Sequence, residues 1–308
     1  MKIKALLFHA LAITMILTSC NTPVVESNET KEKIENKVTT GYQLYTLRNE
    51  FNDANGLKET LAKGKAIGYN NVETFGFING SFWGMSPAEL KKTLDSLEIK
   101  SISGHYLPNE LMGAEVKPID VASIESFLDA AEQLGQHYVI IPWMSESWRN
   151  MTGYKHLIDY LRELCRQAKL RGIEAGWHNH DFEFNSIDPN VPNMQNGYEF
   201  IIQSLEGSGA IFEMDLNWVV MAGENPVDWF HRFPGKFPLW HVKDYDPAKE
   251  QQVPVGHGMI PWSEIFGMSD VSGMKGYFVE QDDCYLETGF NCIEDSYNWL
   301  SEENLLGQ

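Results

Sequence analysis

Short apolar runs alternate with longer amphipathic segments along the chain from residue 41 onward. Eight of these apolar runs hold five or six residues each, and several of them follow a glycine that would end the preceding segment, as buried β-strands often do. The predicted strands are Gly41–Thr46, Asn71–Phe75, Ser101–His105, Tyr138–Pro142, Ile173–His178, Ala210–Asp215, Pro238–Val242 and Gly276–Gln281.

The segments between the predicted strands carry apolar residues three and four positions apart, which indicates helices with one buried face. Ser86 suits the N-cap of one of them, and Gly68, Gly135 and Gly172 lie where three others would end. Clear examples are Gly56–Ile67, Pro87–Leu97, Ile124–Leu134 and Tyr154–Leu170.

Eight strand–helix units in one α/β domain predict a (β/α)8 TIM barrel over residues 41–308. A doubly wound open sheet is the rival architecture. It usually carries a glycine-rich phosphate turn after a strand, and this chain has neither G-x-G-x-x-G nor a Walker motif. The pattern makes no prediction of oligomeric state.

The first 40 residues differ in character from the rest. Lys2 and Lys4 precede the mostly apolar run Ala5–Leu17, which leads into Ser19 and Cys20. We expect residues 1–19 to be a lipoprotein signal peptide, Cys20 to be lipidated, and residues 20–40 to be a flexible tether. The chain would then be anchored at the cell envelope, on the outer membrane or the periplasmic face. An ordinary signal peptide with an incidental cysteine is the alternative.

The charge of the chain indicates which kinds of partner to expect, and its cysteines are candidates for packing or for a disulfide. The 308 residues include 43 acidic and 24 basic ones, which gives a net charge of -19. Nucleic acid is therefore not an expected partner, and we expect a small-molecule partner instead. Cys165 lies on a predicted helix and suits a buried packing role. Cys284 and Cys292 have the option of a disulfide, but their spacing does not decide it.

Metal-capable side chains collect at the ends of the later strands. Strand alternation places His178 and His180 on one face of the fifth strand, and Glu183 follows closely enough to turn back over the barrel mouth. Asp215 ends the sixth strand, His241 lies on the seventh, and Glu280 ends the eighth. Carboxylates and imidazoles delivered by successive strand ends indicate a divalent metal site at the carboxyl end of the barrel.

Several further residues are candidates for contact with a substrate. Lys243 shares a face with His241 and offers a cation or an acid–base group. A divalent metal with open positions binds two oxygens of a sugar and favours loss of the proton next to its carbonyl, so a sugar suits this residue set. The remaining candidates for sugar contact are Glu73, His105, His178, Trp218 and His257.

The chain from about residue 41 to 305 resembles the sugar phosphate isomerase/epimerase-like proteins of the xylose-isomerase-like TIM-barrel superfamily. The resemblance implies one divalent metal, manganese first, with zinc, cobalt or magnesium as alternatives. It also implies the ligands Glu183, Asp215, His241 and Glu280, although the fifth strand ends here in histidines and His180 competes with Glu183. The resemblance is carried by Gly68–Glu73, His178–Phe184, Asp215–Trp218, His241–Asp244 and Val279–Asp282.

The resemblance predicts a metal-dependent sugar isomerase or epimerase that removes a proton beside a carbonyl and passes through an enediolate. His180, Glu280 and Lys243 are the expected acid–base residues. A lyase that eliminates the aglycone from 3-keto-glycosides uses the same fold and metal, and the expected envelope location suits it. A non-catalytic carbohydrate-binding lipoprotein is the second alternative.

Overall fold

A computed structural model describes residues 38–187 and 195–307. The predicted signal peptide, Cys20 and all but the last residues of the predicted tether lie outside this part of the chain. Eight strands, β1 to β8, form the main sheet of the described residues. They are Thr39–Gln43, Val72–Glu73, Ser103–His105, Tyr138–Ile141, Glu174–His178, Ile211–Asp215, Leu239–Val242 and Gly276–Val279.

The eight strands run parallel in the spatial order β2-β1-β8-β7-β6-β5-β4-β3. The two outermost strands also meet. The amide of Val72 donates to the carbonyl of Lys100 at 2.9 Å, and the amide of His105 donates to the carbonyl of Thr74 at 2.7 Å. The sheet is therefore a nearly closed barrel with helices between its strands, and the TIM-barrel prediction is confirmed.

The four helices predicted from the spacing of apolar residues are all present, and their ends differ from the prediction by no more than three residues. The first begins at Ala54 because the Asp53 side chain accepts hydrogen bonds from the amides of Asn55 and Gly56. A capping box between Ser86 and Glu89 starts the second. The α-helices are Ala54–Ile67, Pro87–Ser96, Asn109–Met112, Ala122–Leu134, Met151–Leu170, Gly197–Ser204, Leu216–Met221, Pro226–Arg232, Trp262–Phe266, Ser269–Ser272 and Gly289–Glu302.

Apolar side chains form two separate layers. The larger one lies between the sheet and its helices. The smaller one is built from alternate residues of the strands and consists of Tyr138, Ile140, Ile211, Leu239 and Phe278. These side chains share the inner face of the barrel, so the interior is apolar toward the strand starts. Polar groups are left for the carboxyl end, where the strands finish.

Two short hairpins and a disulfide decorate the connections. Phe77–Ile78 pairs with Ser81–Phe82, and Asp244–Asp246 pairs with Gln251–Val253. Cys284 and Cys292 form a disulfide, which decides the pairing that the sequence left open, and Cys165 is free and buried as expected. None of the helices within the described residues is long and apolar enough to cross a membrane.

Candidate metal centre

Inward-facing residues change from apolar to polar along each strand. On β6 the inner face reads Ile211, Glu213 and Asp215, and on β7 it reads Leu239 and His241, with Lys243 next. The register pairs Asp215 with His241, so the two side chains meet at one level of the barrel. Period-two alternation and parallel register thus build a polar layer at the carboxyl end.

Four buried side chains, three on β5, β6 and β7 and one directly after β8, form what we call the outer cluster: His178, Asp215, His241 and Glu280. One potential ligand atom from each lies within 4.8 Å of the others. The Nε2 atom of His178 is 3.7 Å from Oδ2 of Asp215, and Nδ1 of His241 is 2.7 Å from Oε2 of Glu280. Two imidazoles and two carboxylates are a donor set that suits a divalent transition metal.

Directly beside it lies the inner cluster, which we define as Glu73, His105 and Glu213. Nε2 of His105 is 2.7 Å from Oε2 of Glu213 and 3.4 Å from Oε2 of Glu73. Both glutamates are fully buried, and their Oε1 atoms have no hydrogen-bond partner. Uncompensated buried carboxylate oxygens are costly, so this region requires nearby positive charge.

Lys243 supplies part of that charge. Its Nζ lies 2.7 Å from Asp215, 2.6 Å from Glu280 and 2.9 Å from Asp282, and the side chain is 1% exposed. Burial favours the neutral amine, but the three carboxylates outweigh it and hold the pKa of Lys243 well above its ordinary value. One lysine faces five carboxylates, namely the four in the two clusters and that of Asp282. A bound cation therefore fits the remaining negative charge.

The excess of buried carboxylates also shifts the pKa values of the neighbouring side chains. Burial alone would lower the pKa of His241, yet Glu213 and Glu280 raise it well above its ordinary value. Burial alone would raise the pKa of Glu280, but Lys243 and His241 hold it well below its ordinary value. Burial raises the pKa of Asp215 to about 6, against the opposing charge of Lys243. Against the effect of burial, Glu73 and Glu213 also raise the pKa of His105, whereas burial and the neighbouring His241 hold the pKa of His178 well below its ordinary value.

Seven of the residues singled out in the sequence come together here, but Glu183 does not. Its carboxylate accepts hydrogen bonds from the Trp177 indole and from the amide of His180, each at 2.9 Å. Trp177 faces outward on β5, opposite to His178, so Glu183 is held on the far side of the strand. The structure therefore places His178, rather than Glu183 or His180, at the fifth-strand position of the outer cluster.

His180 and Trp218 lie next to the outer cluster. The His180 ring centroid is 5.1 Å from that of His178 and 5.7 Å from that of Trp218, and Lys243 Nζ is 5.7 Å from the Trp218 ring. Nδ1 of His180 and Nε1 of Trp218 have no hydrogen-bond partner. Burial, and then the charge of Lys243, lowers the pKa of His180 to about 3, so the ring is neutral at pH 7.

His257 is not part of this arrangement. Its side chain is 51% exposed and its Nε2 lies 3.8 Å from Asp295, a residue of the helix Gly289–Glu302. Its loop is organised instead by Asp244, whose carboxylate accepts hydrogen bonds from the amides of Gly256 and Gly258. The substrate contact expected for His257 has no support in this placement.

Three residues of the site were not found by sequence reasoning: Gln43, Glu213 and Asp282. Glu213 shares the inner face of β6 because it lies two positions before Asp215, so strand periodicity carried a usable signal for it. Asp282 lies two positions after Glu280 in the same way. Gln43 carried no such signal, because its role depends on the hydrogen bond that it donates to Glu73 across two strands.

Comparison with known proteins places this geometry in a family. The profile described as xylose isomerase-like TIM barrel matches residues 61–301. A sugar phosphate isomerase/epimerase from Parabacteroides distasonis is similar in structure, with a TM-score of 0.74 and 25% sequence identity over 86% of this chain and 98% of its own. No curated protein sequence matches the chain.

Two more distant structures share the fold. A D-allulose 3-epimerase from Methylomonas sp. has a TM-score of 0.66 and 11% identity, over 86% of this chain and 98% of its own. The IolI protein with a bound zinc atom has a TM-score of 0.62 and 14% identity, over 87% of this chain and 98% of its own. Because the family profile spans most of the chain, including every residue of both clusters, this protein belongs to the xylose isomerase-like TIM barrel family.

Proposed function

We propose that the protein is a divalent-metal-dependent sugar isomerase or epimerase that removes a proton beside a carbonyl and forms an enediolate. The observation that carries the proposal is the outer cluster, four buried ligand groups within 4.8 Å at the carboxyl end of the barrel. The similarity to sugar isomerases and epimerases agrees with it. We propose manganese as the first choice of metal, with zinc, cobalt and magnesium as alternatives.

The residues around the outer cluster divide the chemistry between them. A divalent cation held by His178, Asp215, His241 and Glu280 would polarise a sugar carbonyl. His180 has an unpartnered ring nitrogen beside the outer cluster, so we propose it as an acid–base group for the substrate on the ground of its position. Lys243 keeps its charge and is suited to stabilise the developing oxyanion. Trp218 offers an indole face and a free N–H to the sugar.

A 3-keto-glycoside lyase is the second candidate, and the disulfide favours it. Structural disulfides persist in oxidising compartments, and Cys284–Cys292 therefore agrees with the proposed envelope location. Glycosides are substrates that occur outside the cytoplasm, whereas sugar phosphates are mainly cytoplasmic metabolites. Both functions begin with the same proton abstraction, and the lyase then releases an aglycone by β-elimination.

The lipid anchor at Cys20 is part of this proposal and rests on the sequence motif. Labelling of growing cells with a fatty-acid probe, followed by fractionation, tests it directly. We expect label in the membrane fraction for the natural chain and none for Cys20→Ala. Release of unlabelled natural protein into the soluble fraction would refute the anchor.

The function is tested by incubating manganese-loaded protein in D2O with a 3-keto-glucoside and, separately, with free ketohexoses. NMR and mass spectrometry then follow deuterium at the carbon next to the carbonyl. Exchange with a new epimer or aldose establishes an isomerase or epimerase, and exchange with aglycone release establishes the lyase. Glu280→Gln, which removes a proposed ligand, should abolish exchange.

Exchange with none of these sugars would refute the enzymatic proposal. Sugar binding by calorimetry without exchange would then favour a carbohydrate-binding protein.

A further inference from the structure

The rings of His178 and His241 each connect the two clusters. His178 directs Nε2 toward Asp215 at 3.7 Å and Nδ1 toward Glu213 at 3.2 Å. His241 directs Nδ1 toward Glu280 at 2.7 Å and Nε2 toward Glu73 at 2.6 Å. One nitrogen of each ring therefore belongs to the outer cluster and the other to the inner cluster.

Hydrogen-bond chemistry assigns different roles to the two nitrogens. An ionised carboxylate only accepts hydrogen bonds, and a neutral imidazole has one N–H and one lone pair. Carboxylates face both nitrogens of each ring, so only a cation in the outer cluster would decide between them. The cation would take the lone pair of the outward nitrogen, and the inner glutamate would keep the N–H on the other nitrogen. This would present His178 Nε2 and His241 Nδ1 to a cation in the outer cluster.

The two inner glutamates are themselves held in place. Gln43 donates a hydrogen bond from Nε2 to Oε2 of Glu73 at 2.7 Å, and His105 lies 2.7 Å from Glu213. Gln43, Glu73 and Glu213 are fully buried. Two hydrogen-bonded chains result, Gln43–Glu73–His241 and His105–Glu213–His178, and each ends at an imidazole of the outer cluster.

We propose that Glu73 and Glu213 are positioning residues that fix the tautomer and orientation of His241 and His178 for one cation in the outer cluster. The inference rests on the proposed function. It assigns Glu73 and His105, expected from the sequence to touch the sugar, to the support of the metal ligands. Glu213, which the sequence did not single out, becomes a determinant of metal affinity.

A cation inside the inner cluster is the competing interpretation. His105, His178, Glu213 and His241 also offer four ligand atoms within 4.8 Å. A cation there would take the inner nitrogens of both rings. Simultaneous occupation of both clusters would require each ring to give up its remaining N–H, which a neutral imidazole does not do readily. We therefore expect one ion per chain.

The full-length protein with Cys20→Ser, stripped with a chelator and titrated with Mn²⁺ and Co²⁺, tests the inference. Elemental analysis gives stoichiometry, electron paramagnetic resonance gives Mn²⁺ affinity, and visible absorption reports the Co²⁺ ligand field. The variants are Glu73→Gln and Glu213→Gln, which keep shape and remove charge. Glu174→Gln is the matched control, because this exposed residue begins the strand that carries His178.

We expect one ion in the natural chain and in both inner variants, with affinity roughly 10- to 100-fold weaker in the variants and a shifted Co²⁺ spectrum. Glu174→Gln should match the natural chain. Unchanged affinity and spectrum in both inner variants would overturn the inference, even if the variants melt earlier, as would two ions in the natural chain with one lost in Glu213→Gln. Absence of any ion in the natural chain would instead refute the proposed function.

Discussion

At the residue scale, the two oxygens of Asp215 have different tasks. Oδ1 accepts a hydrogen bond from the amide of Trp218 at 3.0 Å and caps the helix Leu216–Met221, while Oδ2 lies 2.7 Å from Lys243. The cap fixes the carboxylate and leaves Oδ2 directed into the outer cluster. Asp215, a proposed metal ligand, is therefore held by contacts with both Trp218 and Lys243.

Asp215→Asn separates these tasks. Asparagine keeps the N-cap acceptor, so we expect the melting temperature to change little. The loss of one proposed anionic ligand should reduce turnover by roughly a hundredfold or more, because the proposed cation would supply several kcal/mol of charge stabilisation. Metal analysis and the deuterium-exchange rate check this. Full exchange with normal metal content would contradict the role of Asp215.

Glu183 makes the folding free energy depend on pH. Burial raises its pKa to about 8, from an ordinary value of 4.5, despite the hydrogen bonds from His180 and Trp177. Between these pH values the folded protein keeps a proton that the unfolded chain has lost. Stability from this group is therefore full below about pH 4.5 and declines as the pH rises toward about 8.

We expect Glu183→Gln, which mimics the protonated acid, to remove this decline. Metal-free natural protein should lose roughly 2–5 kcal/mol more unfolding free energy between pH 5 and pH 8.5 than the variant does. Urea denaturation at the two pH values measures the difference. Parallel pH profiles for the two proteins would show that Glu183 is ionised in the folded state.

At the scale of elements, the contact between β5 and β6 sets the distance between His178 and Asp215. Gly176 pairs with Ile211 in the parallel register, and a Cβ atom at residue 176 would collide with the Ile211 carbonyl. Glycine thus lets the two strands approach closely at this position.

Gly176→Ala should push these strands apart. We expect a loss of roughly 1–3 kcal/mol in unfolding free energy and weaker Mn²⁺ binding, because His178 and Asp215 would separate. Thermal denaturation of the metal-free protein and a manganese titration measure the two effects. A stability and affinity equal to those of the natural chain would show that the strands adjust without cost.

The Cys284–Cys292 disulfide ties the segment after β8 to the helix Gly289–Glu302. That segment begins with Glu280 and includes Asp282, which contacts Lys243. Closing a loop of this length restricts the unfolded chain, so removal by Cys284→Ser with Cys292→Ser should cost about 2–3 kcal/mol. Melting with and without reductant tests this. Reductant should lower the melting temperature of the natural chain and leave the double variant unchanged.

At the scale of the whole molecule, the charge of the protein bears on the proposed choice of substrate. The net charge is -19, and the outer cluster, inner cluster and Asp282 together hold five carboxylates against Lys243. Lys243 is already surrounded by three carboxylates, so it has little capacity to pair with a phosphate dianion.

We therefore expect neutral sugars to be preferred over their phosphates. In competition assays the phosphorylated form of an accepted sugar should bind at least about tenfold more weakly than the neutral form, because like charges repel. The preference should shrink at high salt, which screens the repulsion. Tighter binding of the phosphate ester would require a cationic subsite and would contradict this account.

The repeating pattern of the sequence determined the fold. Eight apolar runs separated by amphipathic segments allow few arrangements, and the absence of a phosphate-binding turn removed the main rival. Local spacing also determined most of the outer cluster, because Asp215, His241 and Glu280 each end or nearly end a strand. Side-chain alternation is a local property, so it can be read without tertiary information.

Only the tertiary structure decided which groups share the site. Glu183 stands close to His178 in sequence, but the opposite orientation of Trp177 draws it away from the cluster. Glu213 and Gln43 enter through contacts with His178 and Glu73, residues of other strands. His257 lies in the long segment after β7, whose course depends on Asp244. Barrel closure and strand register set these distances, and no single segment of sequence contains them.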